Sequence, residues 1–204
     1  MAASSIADAR LTPDGDGHPA HWPESERRRL LEVARASVRH GVHHGEPLEV
    51  DPATHPPRLR APLAVFVTLL HTGSLRGCVG SLEPMATVVE ETARHAYAAA
   101  FEDPRFAPLS AGELPGLDVE LSVLDAPQPM PFADEADLLA QLRPGVDGLI
   151  VTCGDRRGTF LPAVWDHLPE PADFLAGLKA KAGLPADPLP REAAVHRYTA
   201  TKLR

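Results

Sequence analysis

Three features of the sequence predict an α+β fold, a mostly antiparallel sheet flanked by helices. Short strand-like runs come in pairs joined by brief polar turns, helix-like runs stand between the pairs, and few strand-helix-strand crossovers result. The expected order is helix, two strands, helix, strand, helix, two strands, helix, strand. The 204 residues suffice for one folded domain over 23–204, with room for a division into two lobes.

Residues 1–22, rich in Ala, Asp, Gly, Pro and His without helical or strand period, read as a disordered tail, with His18 and His21 solvated. A first helix is expected over 23–40. Pro23 suits its first turn, Glu24 and Glu26 favour its positive end, and Leu30, Leu31, Ala34 and Val38 share a face. Gly41 is expected to end it. An apolar run over 63–70 predicts a buried strand, and His71-Thr72-Gly73-Ser74 a hairpin turn into a partner over 75–79.

A helix is expected over 84–100, with Met85, Val88, Val89, Thr92, Ala96 and Ala99 on one side, stopped by Asp103-Pro104. Strict alternation over 117–123, apolar at Leu117, Val119, Leu121 and Val123, marks a half-buried strand. A short helix over 133–142 follows. Next come strands over 148–153 and 159–164 about a polar, glycine-bounded loop at 154–158. A helix over 171–182 with Phe174, Leu175 and Leu178 inward, stopped by Gly183, precedes a closing strand over 195–199.

A net charge of −8 argues against nucleic-acid binding, because no basic stripe is available to neutralise phosphates and the ten aromatic residues form no basic-aromatic repeat. The apolar run at 63–70 is too short to span a bilayer, and no export signal is visible, so a cytoplasmic protein without a membrane role is expected. Two cysteines, Cys78 and Cys153, make no disulfide framework. His43, His44, His55 and His71 lie at no metal-ligand spacing, so neither a metal nor another cofactor is expected. The Arg27-Arg28-Arg29 run reads either as an anion site or as a solvated helix face.

Chemistry, if present, is expected at Gly73-Ser74-Leu75-Arg76-Gly77-Cys78-Val79-Gly80. Gly77 and Gly80 permit close approach and would let backbone N–H groups, with that of Val79, turn toward a bound group. Arg76 adds a fork of donors, and the loop is expected to feed the N-terminus of the next helix.

Leu75-Arg76-Gly77-Cys78-Val79-Gly80, Asp103-Pro104-Arg105-Phe106-Ala107-Pro108-Leu109, Glu120-Leu121-Ser122-Val123-Leu124 and Gly148-Leu149-Ile150-Val151 occur in the order seen in the AMMECR domain family. Phe160-Leu161-Pro162-Ala163-Val164-Trp165 and Lys179-Ala180-Lys181-Ala182-Gly183-Leu184 also look like its C-terminal half. The resemblance runs from about Glu24 to Thr199. Bacterial and archaeal members are called AmmeMemoRadiSam system protein A. The resemblance implies a larger sheet-and-helix lobe with a smaller subdomain. It also implies work beside a Memo-like protein and a radical S-adenosylmethionine enzyme. The pattern departs at Ala163, where the family often has a polar residue, and at Asp187-Pro188-Leu189-Pro190, where an aromatic is expected.

Two classes of function follow. In the first, the chain is an enzyme: Cys78 is a nucleophile activated by Arg76 and a helix N-terminus, and Glu120 is the base. His71 and His167 are weaker base candidates. Gly77, Val79, Gly80, Arg105 and His71 would bind a small anionic or carbonyl-containing substrate. In the second, the loop recognises a small molecule or an enzyme partner without making a bond. A purely scaffolding role for Cys78 would have Arg76 paired with Glu120 and Arg105 anchoring the Asp103-Pro104 turn.

Overall fold

The structure, a computed structural model, describes residues 22–190 and 192–204. Two compact units are present. The first comprises Trp22 to Leu124 and Thr201 to Arg204, and the second Asp125 to Ala200 among the described residues. The expected disordered tail lies outside the described residues, apart from Trp22. That residue is buried in the core of the first unit under the Arg58 guanidinium, 5.4 Å from its ring centre.

The first unit carries the sheet order β2-β1-β3-β8, formed by β1 (Val65–His71), β2 (Ser74–Gly80), β3 (Leu117–Leu124) and β8 (Ala200–Leu203). Alternation drives it: Val65, Val67 and Leu69 of β1 and Val119, Leu121 and Val123 of β3 turn to one face. There they pack on helices α1 (Glu24–His44) and α2 (Val88–Phe101). The β1–β2 hairpin closes through Thr72-Gly73, whose φ angles of 50° and 82° are the left-handed pair that a two-residue hairpin requires.

Helix α1 runs past the expected stop. Gly41 is interior to it because a Cβ there would lie 2.4 Å from the Phe101 ring, so the glycine lets α1 and α2 approach. The stop is Gly45, at φ 75°, whose N–H bonds the Gly41 carbonyl. Helix α2 starts at Val88 rather than Pro84, behind a capping box in which Thr87 and Glu90 satisfy each other's backbone donors.

The second unit has the order β4-β7-β5-β6, from β4 (Gln128–Pro129), β5 (Gly148–Cys153), β6 (Arg156–Phe160) and β7 (Ala194–Tyr198). Two four-stranded antiparallel sheets therefore make up an α+β fold. Cys153 pairs with Arg156, so the turn is Gly154-Asp155 alone and the expected loop residues Arg156, Arg157 and Gly158 belong to β6. Gly158 is in the strand because Ala182 lies against it, 2.7 Å from where a Cβ would stand. Residues 162–166 form a 3-10 turn instead of the strand's continuation. Helices α3 (Glu135–Gln141) and α4 (Pro171–Lys181) pack on this sheet through Leu138, Phe174, Leu175 and Leu178, with Trp165 stacked on Phe174. Strand β8 was not expected; it returns to the first sheet, where Leu203 is fully buried.

Candidate functional site

The stretch around Cys78 is a strand, not a loop. β2 is an edge strand of the first sheet, and its register against β1 shifts between Leu69, opposite Gly77, and Leu70, opposite Leu75. Arg76 is the extra residue of that bulge, which re-aims its side chain away from the ladder. Its Nε donates to Glu113 Oε1 at 2.6 Å and its Nη2 to the Ala107 carbonyl at 2.9 Å. The expected pairing with Glu120 does not form.

Glu113 also accepts from the Ser110 N–H and Oγ, both at 2.9 Å, closing a capping box on the 3-10 turn of 111–113. Arg76 first, then Ser110, hold the Glu113 carboxyl down to about 2.

The Cys78 N–H points outward from the sheet edge and donates to Asp103 Oδ2 at 2.9 Å. Asp103, only 5% exposed, is also gripped by Arg105, whose Nε donates to Oδ1 at 2.9 Å and Nη2 to Oδ2 at 2.6 Å. The Arg105 hydrogen bonds, aided by the Cys78 N–H, hold the Asp103 carboxyl far below the ordinary carboxylate range. Arg105 thus anchors its turn. Phe106 lies between the two arginines, its ring centre 5.8 Å from Arg76 Cζ and 5.5 Å from Arg105 Cζ. The Asp-Pro-Arg-Phe segment therefore covers the open edge of β2, and the two sequence motifs are the halves of one junction.

The acid–base groups expected around the thiol are not gathered there. Cys78 faces Thr68 across β1, with the Thr68 hydroxyl 3.4 Å from Sγ, and Thr68 faces Glu120 on β3. Glu120 is therefore two strand spacings from Cys78, about 10 Å. It is held by Lys202 at 2.6 Å and Arg204 at 3.0 Å, both from the chain's end. His71 lies opposite Ser74 at the hairpin end, three positions along the strand from Thr68 and about 10 Å away. His167, in the second unit, caps the 3-10 turn of 162–166. Nor does the strand of the thiol run directly into a helix N-terminus: between Gly80 and Val88 the chain takes seven residues.

Gly77 and Gly80 act through close approach rather than unusual backbone angles. A Cβ on Gly77 would sit 1.9 Å from the Ala99 carbonyl oxygen of α2, and one on Gly80 2.4 Å from the Phe66 ring. Val79 and Gly80 do border a cleft of about 530 Å³, with Ser81, Met85 and Tyr97 around it. Its polar wall, missed in the sequence, comes from α2. Arg94 and His95 form it, and behind them Glu91, 1% exposed, accepts the Met85 N–H at 3.0 Å and contacts Arg94, while His95 Nε2 lies 2.9 Å from its Oε2. Burial first, then the Arg94 charge, lower the His95 pKa despite Glu91, so its imidazole is neutral at pH 7. The signal available was the i, i+4 spacing of Glu91 and His95 on the apolar side of α2. Met85 is 83% exposed at the cleft's lip.

Among the described residues no group of three or more His, Cys, Asp or Glu side chains could hold a metal ion. Likewise among them, no helix is long and apolar enough to cross a membrane.

Comparison with known proteins places this geometry. The family model AMMECR1 matches residues 31–203. A protein of Methanothermobacter thermautotrophicus is 40% identical over 167 residues, covering 79% of this chain and 84% of its own length. One of Thermococcus gammatolerans is 39% identical over 182 residues, covering 84% of this chain and 86% of its own. The crystal structure of protein PH0010 from Pyrococcus horikoshii superposes with a TM-score of 0.75 at 32% identity, over 88% of this chain and 91% of that one. With its two antiparallel sheets and a matching model across most of its length, the chain belongs to the AMMECR1 family.

Proposed function

We propose that this chain is a binding module: it holds a small molecule in the cleft beside Val79 and Gly80 and acts with a Memo-like protein and a radical S-adenosylmethionine enzyme. One observation carries the reading. The charged side chains around Cys78 are tied into the frame, Arg76 through Nε and Nη2 to Glu113 and Ala107 with only its buried Nη1 unpartnered, and Asp103 by Arg105 and the Cys78 N–H, while a formed cleft opens at the end of the same strand. A nucleophilic cysteine needs a base within hydrogen-bond reach, and neither Glu120 nor His71 approaches Cys78. The apolar wall of Val79, Met85 and Tyr97 beside neutral His95 suits a ligand with an apolar body and one polar group.

The test is capture of the purified Memo-like and radical enzymes of the same system by the wild-type chain, Cys78→Ser and Met85→Glu. The binding reading expects Cys78→Ser to retain capture and Met85→Glu to lose it. A metabolite adduct on Cys78 found by peptide mass spectrometry would sink the reading, as would loss of capture in Cys78→Ser alone. The Thr68 hydroxyl against Sγ favours covalent thiol chemistry as the second reading, and the adduct is its signature.

A further inference from the structure

A second cleft, of about 320 Å³, lies between α1 and the connection that follows it, and shares no residue with the site around Cys78. Its apolar floor is Val33, Ala36, Leu48 and Val50. His55 enters its wall with the residue 9% exposed, and its Nδ1 is buried without a hydrogen-bond partner. Buried polar atoms are nearly always satisfied, so an orphaned ring nitrogen in the wall of a cleft points to a partner that comes from outside the chain.

The charges around that nitrogen narrow the partner. Arg29 lines the cleft from α1 and has no ion-pair partner among the described residues, whereas its neighbours Arg27 and Arg28 pair with Glu24 and Glu32. The arginine run singled out in the sequence is therefore split, two members paired with carboxylates of their own helix and the third at the cleft. Opposite in sign are Glu32, which pairs with Arg28; Glu49, without an ion-pair partner among the described residues; and Asp51. Asp51 Oδ1 accepts the Ala53 N–H at 2.9 Å, which holds the turn bearing His55. Burial and then Arg29 lower the His55 pKa, against Asp51, so the ring is neutral at pH 7 and retains both a donor and an acceptor nitrogen.

A cleft that offers one guanidinium, three carboxylates of which Arg28 already pairs one, a neutral imidazole and an aliphatic floor matches a small zwitterion. We propose that it binds a free α-amino acid with an aliphatic side chain. The ligand carboxylate meets Arg29, its ammonium meets Asp51 and Glu49, His55 Nδ1 completes the polar contacts, and the side chain lies on Val33 and Leu48. An inorganic anion would leave the carboxylates opposed to it, and a bare cation would leave the Arg29 guanidinium without a partner.

Isothermal titration of the full chain with L-leucine, isovalerate, isoamylamine and phosphate tests the proposal. The two fragments carry leucine's side chain with only one of its charges. Saturable leucine binding is expected, with each fragment and phosphate weaker by about tenfold or more, the loss of one charge-assisted hydrogen bond. Arg29→Ala changes an exposed residue and should leave the fold intact while weakening leucine by about the same factor. His55→Gln should do likewise, and the His55 Nδ1 resonance should move on titration of the wild type. No leucine binding at millimolar concentration overturns the proposal. So does isovalerate or phosphate binding as tightly as leucine, or leucine binding unchanged in Arg29→Ala.

Discussion

Replacing Glu113 with Gln keeps the shape of the capping box and removes the charge that faces Arg76. In the wild type Arg76 Nε is 2.6 Å from Glu113 Oε1. Together with Ser110 it brings the Glu113 carboxyl from the ordinary 4.5 down to about 2. Unscreened, that fall corresponds to ~3 kcal/mol. The Glu113 side chain is 28% exposed and Arg76 13%, so solvent screening reduces the contribution to ~1–2 kcal/mol. Because the folded state binds this proton more weakly than the unfolded chain, the stabilisation is complete above 4.5 and is lost as pH falls toward about 2. Urea unfolding of Glu113→Gln and its parent, both in a Trp165→Phe background, lets buried Trp22 report on the first unit alone. The variant should be less stable by ~1–2 kcal/mol at neutral pH, with the gap closing in acid. A gap that is absent at neutrality, or that persists unchanged to the lowest pH, refutes the assignment.

Gly77→Ala forces a Cβ to within 1.9 Å of a backbone oxygen that α2 cannot withdraw. The expected destabilisation is ~3 kcal/mol or more, against little change for Gly112→Ala, where nothing lies within 4 Å; the same unfolding assay reads both. In the second unit, burial pushes the Tyr198 hydroxyl up to about 12 against the Thr159 hydrogen bond. Ultraviolet titration of a Tyr97→Phe variant should therefore show tyrosinate appearing near about 12, with stability declining as pH rises from 10 toward that value. Lys179, 3% exposed, donates to Glu135 and to the Ala186 and Asp187 carbonyls. Lys179→Met strands those acceptors and should cost ~2–4 kcal/mol, measured through Trp165 fluorescence; a neutral result would show that water replaces the ammonium.

What was legible in the sequence is what local pattern determines. A continuous apolar run places β1, alternation places β3, turn chemistry gives the Thr72-Gly73 hairpin, and Phe174, Leu175 and Leu178 mark the inner face of α4. Stops and registers were less legible because they depend on distant neighbours. Gly41 looks like a helix end until Phe101 of α2 is set against it, and Gly45, four residues later, has the left-handed backbone that ends the helix. Gly158 looks like a loop residue until Ala182 occupies the space a side chain would need. The division into two sheets has the same origin: β8 is only four residues long, and Leu203 is fully buried only once the first sheet exists.

The site shows the same limit in sharper form. Arg76, Cys78 and Arg105 were visible as residue types, but their roles depend on partners that no local pattern assigns. A planar guanidinium in a strand bulge takes the nearest carboxylate that its aim allows. The bulge at Arg76 aims it at Glu113 rather than across the sheet at Glu120. Glu120, in turn, is satisfied by Lys202 and Arg204, cations that entered no reading of the strand it sits on. The acid that matters most to Cys78 is Asp103, which the sequence marks as a helix stop and as the turn that Arg105 anchors, with nothing to tie it to Cys78. Its second role follows from geometry: an edge strand leaves outward N–H groups, and a buried carboxylate already neutralised by Arg105 is able to accept one without an uncompensated charge. The thiol's sequence neighbours are thereby committed to holding the β2 edge, and the free volume lies one and two residues on, at Val79 and Gly80. The covalent and binding readings consequently put their decisive residues in different places. Cys78 carries the first and Met85 the second, which is why a pair of single substitutions separates them.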